Sequence, residues 1–278
     1  MINILTSREK EIINKKLAGS SLTQNESNIL SKYIRPKLKR DLEAKGLNSQ
    51  ALLNKLEYNQ KSKSIENEIK RLILHSIEDV KAIILHGSAI QTNYKNYNDI
   101  DVLIITKNKT WKVIGEKYER IVSLNKEAER FNLSLDIQIL DEKTFYATYS
   151  SSPSLIYQLS NNKIIYGSIK IPKKRELSKL DLRMKLDWSD IDDEESKGSD
   201  LYQSLRNIIL VRLLMQKVID NDYLREYVKK EIGNILASKL KSNTASKLEK
   251  KVVLSYIKEL SNQIDKEIKE AKWEKIVL

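Results

Sequence analysis

The hydrophobic spacing of this 278-residue chain changes twice along its length, and this change limits the folds available to it. Apolar residues recur every three or four positions before residue 75 and again after about residue 171, as in amphipathic helices. Between these limits, three short runs rich in β-branched residues are typical of buried strands, and they span residues 81–86, 99–105 and 133–140. The seven glycines and three prolines are fewer than a sandwich or barrel would use in its turns. The pattern predicts an α+β protein.

The same change of spacing predicts three regions. Residues 1–74 form an N-terminal helical module, residues 75–170 an α/β core with a further short strand at 163–166, and residues 171–278 a C-terminal helical bundle. Such regions have the size of ordinary small domains.

Capping residues place several helices within the two helical regions. One helix is predicted over residues 6–18, capped by Thr6 or Ser7, and a second begins at Thr23, because Glu26 stands at capping-box spacing from it. Another helix is predicted from Asn48 or Ser49. In the C-terminal region we expect one helix over 223–240 and another over 245–276.

Two glycines fall inside these helical patterns. For Gly115 and Gly233, close packing between helices is a sufficient reason for a residue without a side chain.

Composition excludes several classes of site and of protein. With no cysteine and only two histidines, the chain has no disulfide framework, no thiolate zinc site and no cysteine nucleophile. No apolar run approaches the roughly 18 residues of a membrane span, and no leader segment is visible, so we expect a cytoplasmic protein without a membrane partner.

The formal net charge of +12 is unevenly distributed. Residues 1–74 hold 15 Lys and Arg against 8 Asp and Glu, a surplus of 7, whereas residues 75–170 hold 12 against 11. The surplus is densest beside Tyr33, at Lys32, Arg35, Lys37, Lys39 and Arg40. Either these cations contact an anionic partner such as RNA, or they form a solvated helix face.

One arrangement of residues in the α/β core indicates a functional site. The first predicted strand ends in Gly87-Ser88, the second begins with Asp99-Ile-Asp101, and the third carries Asp136. Residues two apart on a strand project to the same face, so Asp99 and Asp101 are predicted to lie side by side. If the third strand is next to the second, Asp136 joins them. The alternative is that Asp99 and Asp101 mark a strand end exposed to water and that Asp136 faces solvent.

Three neighbouring carboxylates repel one another unless a cation binds them. Carboxylate oxygens are the ligands that Mg²⁺ or Mn²⁺ prefers, with the remaining positions taken by water and phosphate. A turn of small residues at Gly87-Ser88 lets backbone N–H groups approach a triphosphate, although Ser88 is also an ordinary turn residue. The spacing therefore predicts a site for divalent cations and an NTP.

In this order and context, residues 82–140 resemble the DNA polymerase β-like nucleotidyltransferase superfamily. The resemblance rests on Gly87-Ser88 after an apolar strand, on Asp99-Ile-Asp101 after a spacer, and on Asp136 in a later strand. It implies that Asp99 and Asp101 hold the metals on the nucleotide, that Asp136 binds the second metal and helps to deprotonate the acceptor hydroxyl, and that Gly87 and Ser88 hold the triphosphate. The reaction implied is transfer of a nucleoside monophosphate from an NTP to a hydroxyl, with release of pyrophosphate.

The chain departs from the minimal members of that superfamily that modify partner toxins. Those members usually carry an Arg shortly after Gly-Ser and a Ser before Asp-x-Asp, where this chain has Ala89 to Thr92 and Asn98. Stand-alone bacterial members include toxins that modify tRNA, and the resemblance leaves room for an antitoxin or another protein partner.

Several acceptors and one non-catalytic function remain open. An RNA acceptor, at the tRNA 3′ end, is favoured by the basic N-terminal module. An aminoglycoside-type drug is cationic and would bind the acidic segment 187–195. A protein hydroxyl as acceptor is compatible with every feature of the sequence, but no feature predicts it. The chain could instead bind RNA or a partner without catalysis, although the intact aspartates argue against this. His86 is interpreted as a packed residue that orients the turn, with catalysis as the alternative. Arg206 is interpreted as a partner in a salt bridge, with contact to a nucleotide phosphate as the alternative.

Overall fold

A computed structural model of the chain describes residues 5–17, 22–38, 60–95, 97–191 and 196–278. The fold is α+β, with a mixed four-stranded sheet and helical regions before and after it. In chain order the helices and strands are α1 (Ser7–Leu17), α2 (Gln24–Ile29), α3 (Gln60–Ser76), β1 (Val80–His86), α4 (Gly87–Gln91), β2 (Ile100–Thr106), α5 (Ile114–Glu129), β3 (Leu135–Asp141), α6 (Glu142–Tyr149), α7 (Pro153–Gln158), β4 (Lys163–Gly167), β5 (Glu176–Ser178), α8 (Lys179–Asp187), α9 (Gly198–Met215), α10 (Asn221–Ile232), α11 (Asn234–Lys241), α12 (Lys247–Glu270) and β6 (Lys275–Val277).

The four predicted strands form a single sheet in the order β3-β2-β1-β4. Strand β1 pairs antiparallel with both β2 and β4, whereas β2 and β3 run parallel. Parallel neighbours need a crossover connection, and α5 lies in the segment that joins β2 to β3. The adjacency of the second and third strands, on which the predicted carboxylate cluster depends, is confirmed.

One face of the sheet packs against α3 and α5. Alternate residues of the strands, including Ile83, Val102 and Ile137, enter a core with Ile73 of α3 and Leu124 of α5. Strands β1 and β2 are buried along most of their length, which explains why their sequences are continuous apolar runs instead of alternating ones.

The N-terminal helices begin where their capping residues predicted. The Glu9 backbone N–H donates to Thr6 Oγ1 (3.3 Å) and the Thr6 N–H donates to Glu9 Oε2 (2.8 Å), and Thr23 and Glu26 make the same pair of bonds at α2. A π-helical turn, Leu30–Ile34, follows α2 and leads into a helical stretch over 35–38 that contains Pro36. A small core holds these helices together through Ile12, Ile13, Leu30, Ile34 and Leu38. The helix predicted from Asn48 or Ser49 lies outside the described residues.

The C-terminal helices differ from the prediction at two points. The helix expected over 223–240 is broken at Gly233, whose φ of +82° is incompatible with a helix, so α10 and α11 are separate. The helix expected over 245–276 ends at Glu270, and Lys275–Val277 then pairs with Glu176–Ser178 as a two-stranded sheet. Both predictions of a single helix were wrong.

Close packing was also the wrong explanation for Gly115 and Gly233. A Cβ atom built on either residue would meet no other atom within 4 Å. Gly233 is required by its backbone conformation, and nothing in the structure explains Gly115.

The residues divide into two compact units, one of residues 1–143 and 161–170, the other of residues 144–160 and 171–278. The predicted division at residues 75 and 171 stays a prediction. Within the described ranges, no helix combines the length and the apolar character needed to cross a membrane.

Candidate active site

The turn after β1 lies directly against the carboxylate of Asp101. Gly87 has a φ of +72°, and a Cβ atom at this position would lie 1.8 Å from Asp101 Oδ2. Glycine is therefore required here both by the backbone conformation and by the space that the carboxylate occupies. Ser88, the next residue, is exposed in the first turn of α4.

The strand register brings two of the three predicted carboxylates together. Asp101 pairs with Asp136 across the parallel β2–β3 ladder and with His86 across the antiparallel β1–β2 ladder. Directly paired residues project to the same face of a sheet, so His86, Asp101 and Asp136 form one row. Asp136 is exposed and Asp101 half-buried, so the row opens to solvent at its Asp136 end.

Asp99 lies one residue before β2, because the strand begins at Ile100 and not at Asp99 as predicted. Asp99 is half-buried in a bend. Across the described part of the chain, no three His, Cys, Asp or Glu side chains are grouped so that they could hold a metal ion. The three-carboxylate metal site therefore stays a prediction, with Asp101 and Asp136 as the pair that the register brings together.

His86 is a packed residue and not an exposed acid or base. Its side chain is only 4% exposed, and burial lowers the pKa of its imidazole to about 4. The imidazole is therefore neutral near pH 7, which agrees with the interpretation of His86 as a residue that orients the Gly87 turn.

Hydrogen bonds that the sequence did not predict hold the segment between Ser88 and Asp99 in place. The Tyr94 hydroxyl donates to Glu66 Oε1 of α3 (2.9 Å), and Lys163 Nζ of β4 donates to both oxygens of the same carboxylate (2.6 and 2.8 Å). Tyr94 is 5% exposed, and burial raises the pKa of its hydroxyl. The same residue is fixed through its backbone, because the Tyr94 N–H donates to Ala89 O (2.7 Å).

No local signal in the sequence connects Tyr94 and Lys163 with Glu66, from which they lie 28 and 97 positions away. The two tyrosines of an otherwise polar segment (QTNYKNYND) are the one sign in the sequence that this segment packs against another part of the chain.

A known protein family matches the part of the chain that contains this geometry. Residues 67–162, about a third of the chain, match the family model described as polymerase beta, nucleotidyltransferase. Among curated proteins, no significant match is found.

Two solved structures are similar to part of this chain. One is described as the tri-AMPylated Shewanella oneidensis HEPN toxin in complex with MNT antitoxin, with 21% identity over 38% of this chain and 73% of that chain and a TM-score of 0.27. The other is a mutant of the toxin–antitoxin pair MntA–HpeT, with 20% identity over 37% of this chain and 73% of that chain and a TM-score of 0.28.

Proposed function

We propose, on the premise that residues 67–162 are a polymerase β-type nucleotidyltransferase domain, that this chain transfers a nucleoside monophosphate from an NTP to a hydroxyl of RNA. The observation that carries the proposal is the row of His86, Asp101 and Asp136 beside the Gly87 turn. The two carboxylates lie on adjacent strands and give this face of the sheet a negative charge. The turn beside them accepts only glycine, so a phosphate group can come close to its backbone N–H groups.

The residues at this end of the sheet suit a divalent cation. Asp99, Asp101 and Asp136 offer only carboxylate oxygens, which is the donor set that Mg²⁺ or Mn²⁺ prefers. When bound there, the ions would lower the negative charge that develops on the attacking and leaving oxygens.

The chain's own residues have separate tasks in the transfer. Gly87 and Ser88 bind the triphosphate through backbone N–H groups and the Ser88 hydroxyl. The acceptor oxygen forms a bond to the α-phosphorus, the bond from that phosphorus to the β-phosphate oxygen breaks, and pyrophosphate leaves. Asp136, which is exposed, accepts the proton of the attacking hydroxyl. Neutral His86 packs beneath the turn and holds it in place.

The choice of RNA, with the tRNA 3′ end as the expected site, is supported by charge. The chain carries +12 overall, and residues 1–74 account for 7 of these charges. A polyanion is attracted to such a surface without any sequence-specific contact.

Label transfer tests the proposal directly. The full chain is incubated with Mg²⁺ and each α-labelled NTP in turn, with total tRNA, an aminoglycoside or lysate protein as acceptor. We expect label on tRNA, and its loss when Asp99→Asn and Asp101→Asn are combined. Asp79→Asn is the matched control, because Asp79 is exposed and precedes β1 at the opposite end of the strand from Gly87.

Label that appears only on the drug or on protein would overturn the choice of RNA. Transfer that survives the double substitution would overturn the site itself. RNA that is retained on a filter but never labelled would favour a binding protein without catalysis.

A further inference from the structure

Helix α5 carries large exposed apolar side chains on the flank that faces away from α3. Glu127 accepts a hydrogen bond from Ser76 of α3 (3.3 Å), and Tyr118 lies nine residues earlier, two and a half turns away and so on the opposite flank. Ile114, Tyr118 and Val122 are 61%, 59% and 52% exposed. Because they follow one another at intervals of four residues, they form a continuous apolar stripe over two turns of the helix.

The core does not need this apolar stripe. Helix α5 is held on the sheet by Leu124 and Ala128, which are buried, and Ile121 packs against the same core. Single exposed apolar residues are ordinary on a protein surface, but a row of large ones along one helix is typical of a contact surface for another protein. The tyrosine in the row agrees with this, since aromatic residues are enriched at interfaces.

The apolar stripe also lies beside the edge of the sheet. Helix α5 contacts β3 and α3 contacts β4, and these two strands are at opposite ends of the sheet. The flank of α5 that faces away from α3 is therefore the flank next to the edge strand β3. An edge strand presents backbone N–H and C=O groups that no neighbouring strand binds. A helix docked on the stripe would extend the layer of helices past this edge.

The charges beside the apolar stripe identify its occupant as a second copy of this chain. Glu119 and Lys126 are exposed, and they lie seven residues apart on the same side of the stripe. Within the described ranges, neither takes part in an ion pair. If two α5 helices pack antiparallel about a two-fold axis, Tyr118 of each meets Val122 of the other, and Glu119 of each lies beside Lys126 of the other. A parallel pair would leave both charges without an opposite partner.

We propose that the apolar stripe of α5 is the contact surface of a homodimer in which the two α5 helices pack antiparallel. This inference does not depend on the proposed function. Asp101 and Asp136 alternate with Val102 and Ile137, which belong to the core beneath α5, so the two carboxylates project from the opposite face of the sheet. The helix contact therefore leaves the carboxylate row of each copy uncovered.

The proposed dimer is weak and reversible. The stripe covers two turns of one helix, which places the contact at the small end of specific interfaces, below about 1,200 Å² in total. We therefore expect monomers at about 1 µM protein and a growing fraction of dimer towards about 200 µM.

Sedimentation velocity of the full chain over this range of concentration tests the apolar stripe. Tyr118→Gln with Val122→Gln should stay monomeric throughout, because two polar side chains then face the second copy. The control is Leu248→Gln with Val252→Gln, which makes the same kind of change at two exposed apolar residues one turn apart on α12, in the other compact unit. The control should form dimers as wild type does.

Exchange of the two charges tests the antiparallel arrangement. Glu119→Lys alone and Lys126→Glu alone should each weaken dimerisation by about fivefold or more, because both ion pairs of the dimer become repulsive. The chain with both substitutions should dimerise as wild type does. An equimolar mixture of the two single variants should form a heterodimer, since each then supplies the charge that the other lacks.

A wild-type chain that is still monomeric at about 200 µM would overturn the homodimer and would leave the stripe to a different protein. A dimer that survives Tyr118→Gln with Val122→Gln, or that is lost in the α12 control as well, would also overturn the assignment. If the doubly exchanged chain does not recover, the antiparallel arrangement is wrong.

Two further measurements at about 1 µM protein, where monomers are expected, complete the test. If Tyr118→Gln with Val122→Gln unfolds at a lower urea concentration than wild type, the stripe is covered by its own chain and the proposal is wrong. Label transfer per chain should be the same in wild type and in every variant. Absence of transfer from all of them would count against the proposed function alone.

Discussion

The Asp101 carboxylate lies in the space that a side chain at Gly87 would need, 1.8 Å from the position of its Cβ. Two constraints thus act on one residue, since Gly87 also has a positive φ. A substitution at Gly87 therefore also displaces the Asp101 carboxylate.

Gly87→Ala should therefore abolish label transfer and lower the free energy of unfolding by about 1 kcal/mol or more, because both the φ angle and the contact are incompatible with a side chain. Urea unfolding and label transfer measure the two effects. Gly115→Ala is the control, because Gly115 lies in α5 with no atom within 4 Å of a built Cβ. It should leave transfer unchanged and stability equal or slightly higher. A fully active Gly87→Ala variant would show that the turn does not approach the substrate.

Tyr94→Phe should remove the hydrogen bond to the Glu66 carboxylate and lower the free energy of unfolding by about 1.5 to 3 kcal/mol, since hydrogen bonds to charged groups contribute on that order. Urea unfolding gives the value. Tyr118→Phe serves as the control because Tyr118 is 59% exposed. If the two substitutions have equal effects, the Tyr94–Glu66 bond does not hold the segment.

Lys37→Gln should destabilise the chain by about 1 to 3 kcal/mol, because it leaves the buried Glu9 carboxylate without its cation. It should not change the salt dependence of RNA binding. Lys32→Gln, at an exposed position of the same segment, should leave stability within about 0.5 kcal/mol of wild type. If urea unfolding shows that Lys32→Gln is more destabilising than Lys37→Gln, Lys37 does not have this structural role.

Because His86 is buried, we expect the free energy of unfolding of the metal-free protein to fall in mild acid. Burial lowers the pKa of His86 to about 4, below that of an unfolded histidine near 6.5, so the unfolded chain takes up this proton first. Its contribution to stability is therefore present above pH 6.5 and is lost as the pH falls towards 4. The difference in pKa corresponds to about 3 kcal/mol at most.

Urea unfolding in EDTA between pH 7 and 4 measures this slope. It should be shallower in His86→Gln than in wild type, while His75→Gln, at an exposed position, should parallel wild type. Parallel curves for all three proteins would show that His86 is not buried as a neutral group.

Features that depend on neighbours along the chain were predictable from the sequence. The strands β1 to β4, the Gly87 turn and the capping residues Thr6 and Thr23 follow from local residue preferences, and the structure has each strand within about two residues of its expected bounds. The pairing of Asp101 with Asp136 needed one assumption, that the two strands are adjacent.

Features that join distant segments were not predictable. The three-residue strand β6 has no hydrophobic period of its own and forms only because Glu176–Ser178 lies beside it. The charge density of the sequence likewise pointed to Lys37 as a contact for an anionic partner, whereas in the folded chain Lys37 is paired with Glu9 of a different segment. Gly233 was misassigned because a glycine inside a helical pattern looks the same whether it fills a tight space or breaks the helix.

The parallel register of β2 and β3 has a consequence for how the site is assembled. Asp101 and Asp136 are 35 positions apart and meet only after α5 has crossed the sheet, and a slip of one residue would turn Asp136 to the opposite face. Neither a peptide that spans the glycine turn and Asp101 nor a collapsed intermediate with separate strands would contain the site. On refolding, catalytic competence should therefore return with the slow long-range closure of the sheet, later than helical content.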